Sequence, residues 1–185
     1  MKRTFDFLAA AAGLAVLWPV LLILMFLIKR DSEGPGVFSQ TRVGRNCEAF
    51  RCHKLRTMRA DTPNVPSHQA AANQITPIGR FLRRTKLDEL PQLWNVLKGE
   101  MSFVGPRPCL PSQVELVEER RRRGVMTLRP GITGLSQING IDMSDPVKLA
   151  EKDAEYLETR TFLGDCGIIF KTVFRGEGSG DRIGR

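Results

Sequence analysis

The sequence is poor in the side chains that build metal centres and disulfide scaffolds. It holds four cysteines and two histidines in 185 residues, and the cysteines do not form paired CxxC clusters. This spacing does not assemble a zinc site, and it is not typical of a small secreted scaffold held by disulfides. No internal repeat divides the chain, whose length suits one modest domain. We therefore expect reduced, buried thiols in a cytosolic domain at Cys47, Cys52, Cys109 and Cys166.

Aromatic residues that could stack on bases are also scarce. The chain has one tyrosine, Tyr156, and both tryptophans stand in apolar settings. A formal charge of +8 and an isoelectric point near 9.8 indicate an anionic partner, which could be nucleic acid, acidic lipid or a phosphorylated substrate. A membrane-tethered nucleic-acid-binding module should interleave aromatic residues with its cations. We therefore disfavour that module and predict no nucleic-acid partner.

Charge is absent from residues 7–28, a run long enough to cross a hydrocarbon core as a helix. The run lacks the small-residue cleavage site that ends a signal peptide. Basic pairs flank it at both ends, Lys2-Arg3 and Lys29-Arg30, so the positive-inside bias gives no direction. Pro19 removes a backbone hydrogen bond near the middle and bends the helix. A kinked spanning helix and a re-entrant helix whose ends return to one side both remain open.

The segment after the apolar run predicts a hairpin, a loop and a short helix. Two extended stretches, Val37 to Val43 and Glu48 to Met58, flank Gly44-Arg45-Asn46, which is a hairpin signal. Residues 61–73 are polar, carry two prolines and predict a loop. A short helix is expected from Ile78 to Arg84.

A second helix is predicted from Lys86 to Lys98, with Thr85 as its N-cap and Gly99 closing it. Its apolar residues recur at helical spacing. Trp94 is one of them, so we expect it in the core or at the membrane interface and assign it no chemistry.

The next helix is predicted from Gln113 to Arg123, because Ser112 and Glu115 form a capping box. Gly124 ends this helix, and the four arginines at 120–123 are read as a solvated basic end, where the helix dipole favours cations.

Two further elements close the chain. Asp145-Pro146 is a helix start by cap and first-turn rules. The apolar and basic pattern over 168–175 predicts a helix in the membrane surface, or equally an amphipathic helix packed on the domain. Residues 176–185 are expected to be a disordered tail.

The strongest chemical signal is a pair of adjacent acids, Asp88 and Glu89, behind three cations. Adjacent helical residues point about 100° apart, so the two carboxylates cannot act on one atom. They could divide labour, with one attacking phosphorus and the other holding Mg²⁺. The alternative is an Arg84–Asp88 ion pair one helical turn apart, with acids that simply suit a helix start.

Three arginines stand in stiff settings that suit bidentate phosphate recognition. Arg107 lies between two prolines, Arg129 precedes Pro130-Gly131, and Arg56 lies near the end of a predicted strand. An arginine that is simply solvated does not need a rigid backbone on either side, so these settings favour a binding role.

Four strings together resemble the bacterial sugar transferase family, the monotopic phosphoglycosyl transferases that use polyprenol phosphate. Long strings in the family's order that cover nearly the whole chain make a highly specific match. The strings are FRCHKLRTM at 50–58, KLDELPQLWNV at 86–96, MSFVGPRP at 101–108 and RPGITGLSQING at 129–140.

The resemblance implies a two-step reaction. Asp88 would attack the β-phosphorus of a UDP-sugar and release UMP, and polyprenol (undecaprenyl) phosphate would then take the phosphosugar. Glu89 would bind Mg²⁺ or assist proton transfer. Acetamido sugars, galactose and glucose are all open as the sugar. The phosphate and nucleotide site would be lined by Lys54, Arg56, Arg107 and Arg129, with Asp165 as a further acid.

The resemblance also implies an α+β fold, a mostly helical catalytic domain with a β-hairpin and interfacial amphipathic helices. We expect a re-entrant membrane helix over 1–30, the catalytic domain over 31–175 at the cytoplasmic face of the bacterial inner membrane, and a flexible tail over 176–185. The length suggests the minimal catalytic form. Many members break the membrane helix at Ser-Pro, whereas this chain has Trp18-Pro19. Tryptophan cannot bond a freed carbonyl as serine does, so the bend would rest on Pro19 alone.

Overall fold

A computed structural model describes residues 1–62 and 74–174 of the chain. It is α+β and mostly helical, as predicted. Most of the predicted loop and the whole predicted tail lie outside the described residues. The helices are α1 (Lys2–Asp31), α2 (Pro77–Thr85), α3 (Gln92–Lys98), α4 (Val114–Arg122), α5 (Leu135–Ile138), α6 (Pro146–Thr159) and α7 (Phe162–Phe174). The strands are β1 (Val37–Val43), β2 (Ala49–Leu55), β3 (Ser102–Val104) and β4 (Gly131–Thr133).

The predicted hairpin is confirmed, since β1 and β2 pair antiparallel along their whole length. Asn46 and Cys47 take positive φ angles of 54° and 63° in its turn, a conformation that asparagine adopts more readily than most residues. The second strand ends at Leu55 rather than at the predicted Met58, because Met58 pairs with Ile75 instead.

β3 and β4 form a short parallel ladder. Just beyond it, Gly105 lies against the backbone of the segment that leads into β4. A Cβ at Gly105 would overlap the carbonyl oxygen of Arg129, so only glycine permits this close approach. The contact joins the two segments that carry the proline-framed arginines 107 and 129.

α1 packs on the domain through one side and exposes apolar residues on the other. Ala10 belongs to a core cluster with Val96, and Ile28 belongs to a second cluster with Leu82. Trp18 is more than half exposed. In the part of the chain that the structure describes, α1 is the one helix long and apolar enough to cross a membrane.

Polar contacts hold both ends of α1 to the same domain. Near its start, the buried carboxylate of Asp6 accepts a hydrogen bond from the Ser102 hydroxyl at 2.8 Å. At its end, the guanidinium of Arg56 donates to the Ser32 carbonyl at 2.6 Å. The carboxylate of Asp6, an acid in an otherwise apolar helix, therefore has its hydrogen-bond partner in the domain.

The prediction of Thr85 as an N-cap was wrong, and the helix predicted over 86–98 is broken. α2 continues through Thr85, whose hydroxyl donates to the Phe81 carbonyl at 2.9 Å. Lys86 is left-handed with φ 58°, and Leu87–Glu89 form a 3₁₀ turn. α3 begins directly after Pro91, whose ring is not tolerated inside a helix.

The predicted capping box at Ser112 was also wrong. Gln113 occupies the N-cap of α4 without capping it through its side chain, and its amide oxygen accepts from the Leu110 amide at 2.9 Å. The basic end of α4 is only partly solvated. Arg120 is 2% exposed and pairs with Asp153, with Nη2 to Oδ2 at 2.7 Å.

The other predicted helix ends agree with the structure. Gly99 closes α3 at φ 87° and Gly124 follows α4 at φ 71°. Asp145 caps α6 by accepting from the Lys148 amide at 3.1 Å. Trp94 is half exposed and lies outside the core. All four cysteines are free thiols, but only Cys52 and Cys109 are buried as predicted, whereas Cys47 and Cys166 are partly exposed.

Candidate active site

A tight turn between α2 and α3 presents the acidic pair. Asp88 is buried, and Glu89 reaches the wall of a cavity. Successive residues of a 3₁₀ turn are rotated by about 120°, so the two carboxylates point in different directions and can divide labour. Because α2 ends at Thr85, Arg84 and Asp88 do not lie one turn apart on a single helix.

Glu89 is the meeting point of two cations from distant parts of the chain. Its Oε1 atom lies 3.0 Å from Nζ of Lys54, at the end of β2, and 3.2 Å from Nη2 of Arg107. All three side chains are mostly buried, with exposed fractions of 12 to 18%. Partial burial strengthens these interactions relative to surface ion pairs. The structure therefore brings Lys54 and Arg107 together at Glu89.

The position of Arg107 is supported from behind by a buried ion pair. Nη1 of Arg120 donates to the Arg107 carbonyl at 2.9 Å, and Arg120 is in turn held by Asp153. The other carboxylate oxygen of Asp153 accepts from the Ser136 hydroxyl at 2.9 Å. α4, α5 and α6 thus fix the backbone beside the acidic turn.

The acidic turn forms the polar end of an amphipathic cavity of about 340 Å³. Lys86, Glu89 and Arg107 line that end. The shape and chemistry suit a ligand with a phosphate at one end and hydrocarbon behind it. The apolar wall comes from α3, β3, β4, α7 and the turn before α3: Leu90, Leu93, Phe103, Ile132, Ile169 and Val173.

Burial dominates the electrostatics of this site. It lowers the pKa of Lys86, which Glu89 raises and Arg107 lowers further. It also raises the pKa of the Cys52 thiol on β2, although Lys54 opposes that shift. Charges placed here interact strongly because little water screens them.

Two of the predicted phosphate ligands lie elsewhere. The guanidinium of Arg56 is buried and holds the end of α1, as described above. Arg129 donates its Nε to the Gly99 carbonyl at 2.8 Å and lines other cavities than the one beside Glu89. The structure therefore does not bring either arginine to the Glu89 carboxylate.

Asp165 also lies away from the acidic turn. Its carboxylate pairs with Lys2 and accepts from the Tyr156 hydroxyl at 2.7 Å. Burial, together with Asp165, raises the pKa of Tyr156. This cluster ties the start of α1 to α6 and α7. Sequence reasoning missed Asp6 as its polar neighbour, although an acid just before an apolar run is a visible signal.

The carboxylate of Glu89 has the chemistry of a magnesium ligand. No group of three or more metal-ligating side chains occurs within residues 1–62 and 74–174. Mg²⁺ is usually held by one or two carboxylates, with substrate phosphates and water completing its shell. Glu89 supplies a hard oxygen donor of this kind at the wall of the cavity.

An acidic turn, two mostly buried cations and an apolar-walled cavity, in a domain that carries a long apolar helix, suit an enzyme of lipid-linked phosphates. The chain belongs to the bacterial sugar transferase family, whose model matches residues 1–176.

Curated relatives match most of the chain. It is 43% identical to the exopolysaccharide production protein PSS of Rhizobium leguminosarum bv. phaseoli, over 94% of this chain and 93% of that protein. It is 39% identical to the UDP-glucose:undecaprenyl-phosphate glucose-1-phosphate transferase of Caulobacter vibrioides, over 93% and 68%. It is 35% identical to the undecaprenyl-phosphate galactose phosphotransferase of Salmonella typhimurium, over 94% and 40%. The chain spans about two fifths of the length of several relatives.

Proposed function

We propose that this chain transfers a phosphosugar from a UDP-sugar to a polyprenol phosphate such as undecaprenyl phosphate, as the first membrane step of glycoconjugate assembly. The observation that carries the proposal is Glu89, which meets Lys54 and Arg107 at the polar end of an amphipathic cavity and stands in the same 3₁₀ turn as the buried Asp88. The names of the Caulobacter and Salmonella relatives support this class of substrates.

In the first step, a carboxylate oxygen of Asp88 attacks the β-phosphorus of the UDP-sugar. The bond between that phosphorus and the bridging oxygen breaks, and the oxygen leaves with the α-phosphate as UMP. The sugar phosphate remains on Asp88 as an acyl phosphate.

In the second step, a phosphate oxygen of the polyprenol phosphate attacks the same phosphorus. The carboxylate of Asp88 leaves, and the product is a polyprenol diphosphate-sugar. Water is not a reactant in either step, which suits a site whose reacting groups are mostly buried.

The cations around Glu89 would receive the phosphate charge. Lys54 and Arg107 converge on one carboxylate oxygen of Glu89, so a phosphate bound beside Glu89 would lie within reach of both cations. Glu89 would hold Mg²⁺, which when bound neutralises charge on the diphosphate.

The apolar wall of the cavity would bind the first isoprene units of the lipid. It leads along α7, whose outer residues Phe170 and Phe174 are more than half exposed. An exposed apolar helix face beside an apolar cavity suits a substrate that enters from the membrane.

We also infer that α1 enters and leaves the membrane on the cytoplasmic side. Its 30 residues extend about 45 Å as a helix, and both ends contact one domain. If α1 crossed the bilayer, the hairpin and α2 beside it would be drawn into hydrocarbon, where their polar groups are costly. Single cysteines at Thr4 and Glu33, in a background lacking native cysteines, should resist an impermeant thiol reagent in whole cells. Labelling at Thr4→Cys would show a spanning helix.

The reaction itself is tested by trapping the intermediate. Purified protein with a UDP-sugar should release UMP and gain the mass of a phosphosugar before any lipid is added. Asp88→Asn, which is nearly isosteric, should lose both signals, whereas Asp61→Asn, an exposed acid, should keep them. An adduct on the Asp88→Asn protein would disprove the assignment. Glu89→Gln should need more Mg²⁺ for the same turnover.

A further inference from the structure

A second cavity, of about 500 Å³, lies where the start of α1 meets β3 and the junction of α6 and α7. The side chains of β3 separate it from the cavity at Glu89. Phe103 lines the Glu89 cavity, whereas Ser102 and Val104 line this one. Successive strand residues point to opposite faces, so β3 is a wall between two distinct sites.

The lining of the second cavity is strongly positive. Two carboxylates contribute to it, and both are already engaged: Asp6 accepts from Ser102, and Asp165 is paired with Lys2. Lys2 is the one cation there with a carboxylate partner among the described residues. The cationic side chains that line the cavity are Lys2, Arg3, Arg45, Arg129 and Arg160.

Neutral backbone carbonyls fix two of these arginines without cancelling their charge. Nε of Arg45 donates to the Thr127 carbonyl at 3.0 Å, and Nε of Arg129 donates to the Gly99 carbonyl at 2.8 Å. Anchoring through Nε orients the guanidinium fork, whose remaining N–H groups suit an anion with several oxygens. Burial lowers the pKa of Arg129, and the charges of Arg45 and Arg3 lower it further.

An apolar surface adjoins this positive cavity. Phe162 lines its edge and contacts Phe5, with ring centroids 5.4 Å apart. Leu163 and Leu8 lie nearby in the sequence and are 82% and 62% exposed. Cations set beside exposed apolar side chains match the order of a bilayer, in which phosphate headgroups lie next to hydrocarbon.

We propose that this cavity binds the phosphodiester headgroup of an anionic membrane lipid, separately from the substrate site. A nucleotide fits the surroundings less well than a lipid, because exposed apolar side chains adjoin the cavity. Tyr156, the aromatic residue deepest in the lining, is 4% exposed and already bonded to Asp165. Lipid binding here would hold the start of α1 and α7 at the depth of the headgroups.

The test compares two pairs of substitutions that remove the same charge. Arg45→Gln with Arg160→Gln removes two exposed cations from the cavity, and Arg121→Gln with Arg122→Gln removes two exposed cations from α4, outside its lining. Native mass spectrometry of the full chain in neutral detergent would count bound dioctanoyl phosphatidylglycerol and, separately, dioctanoyl phosphatidylcholine.

The parent and the α4 pair should bind one phosphatidylglycerol in preference to phosphatidylcholine. The cavity pair should bind it about tenfold more weakly, or worse, since each basic residue near a lipid phosphate contributes appreciably. Equal binding by the two pairs, or no preference for the anionic lipid, would overturn the proposal. Displacement of the lipid by UMP would assign the cavity to the nucleotide instead. If the cavity pair fails to fold, Arg160→Gln alone gives the same comparison with a smaller loss, of about fivefold.

Discussion

Arg107 and Arg129 have similar local sequences and opposite surroundings. Each stands beside proline close to glycine, and the backbones of their segments touch at Gly105. Arg107 reaches the carboxylate of Glu89 in an amphipathic cavity, whereas Arg129 is bonded to a neutral carbonyl in a cavity of like charges. The neighbouring prolines thus fix the backbone position of each arginine, and the groups around its guanidinium decide which anion it can bind.

The largest effect is expected for a substitution that removes the packing support of Arg107 and leaves Arg129 unchanged. Asp153→Ala leaves the charge of Arg120 buried without its partner, which should cost about 3–5 kcal/mol of unfolding free energy. Because Arg120 also holds the Arg107 carbonyl, activity per folded molecule should fall, while binding of phosphatidylglycerol should persist. Denaturant unfolding in detergent measures the first effect. Glu118→Ala, which breaks an exposed pair on α4, is the control and should leave the midpoint nearly unchanged.

The next effect concerns the shape of the cation. If Arg107 grips a phosphate with two N–H groups, Arg107→Lys should be nearly as damaging as Arg107→Ala, with a loss in turnover of about 100-fold. Arg129→Lys should lose far less, since that side chain does not reach Glu89. UMP release under saturating UDP-sugar measures all three variants. A lysine at 107 that keeps most of the activity would show that a diffuse charge is sufficient.

A smaller effect should distinguish the binding site of the polyprenol phosphate from that of the UDP-sugar. Val173→Asp places a charge on the apolar wall of the Glu89 cavity and should raise the KM for polyprenol phosphate about tenfold. Formation of the phosphosugar adduct without lipid should be unchanged. Leu163→Asp adds the same charge at the other, exposed end of α7 and controls for weaker membrane binding. Equal increases in KM for both variants would argue against the lipid site.

The smallest effect is a pH dependence. Folding lowers the pKa of Lys86 from its ordinary value of 10.5, chiefly through burial. In the window between the lowered pKa and 10.5 the unfolded chain binds more protons, so stability should rise with pH there. Lys86→Met should remove that slope from a series of unfolding curves. Arg107→Gln should raise the pKa of Lys86 and Glu89→Gln should lower it, which can be followed by NMR titration. The absence of either shift would contradict the coupling.

Local signals predicted much of the fold. The hairpin followed from its turn residues, and the ends of α3, α4 and α6 followed from Gly99, Gly124 and Asp145. The grouping of Lys54, Arg107 and the acidic pair came from the resemblance to a family, because no local rule joins residues so far apart along the chain.

The remaining features depend on partners that lie far away in the sequence. Arg120 reads as one of four surface arginines until Asp153 is placed beside it. The side of α1 that packs was also hidden, because its apolar residues cover every face of the helix. The break at Lys86 is local by contrast: Lys86 is left-handed, and Pro91 disfavours the interior of the helix that apolar spacing predicted over 86–98.

The packing of α1 makes this long apolar helix part of the protein's interior. A chain lacking residues 2–31 would uncover Leu82 and Val96, which are fully buried, and each such side chain contributes about 1.5–3 kcal/mol by its burial. A soluble fragment prepared by trimming the helix should therefore aggregate. If α1 enters the bilayer as proposed above, the hairpin and α2 would complete their core only with an inserted helix, so insertion and folding would be a single ordered event.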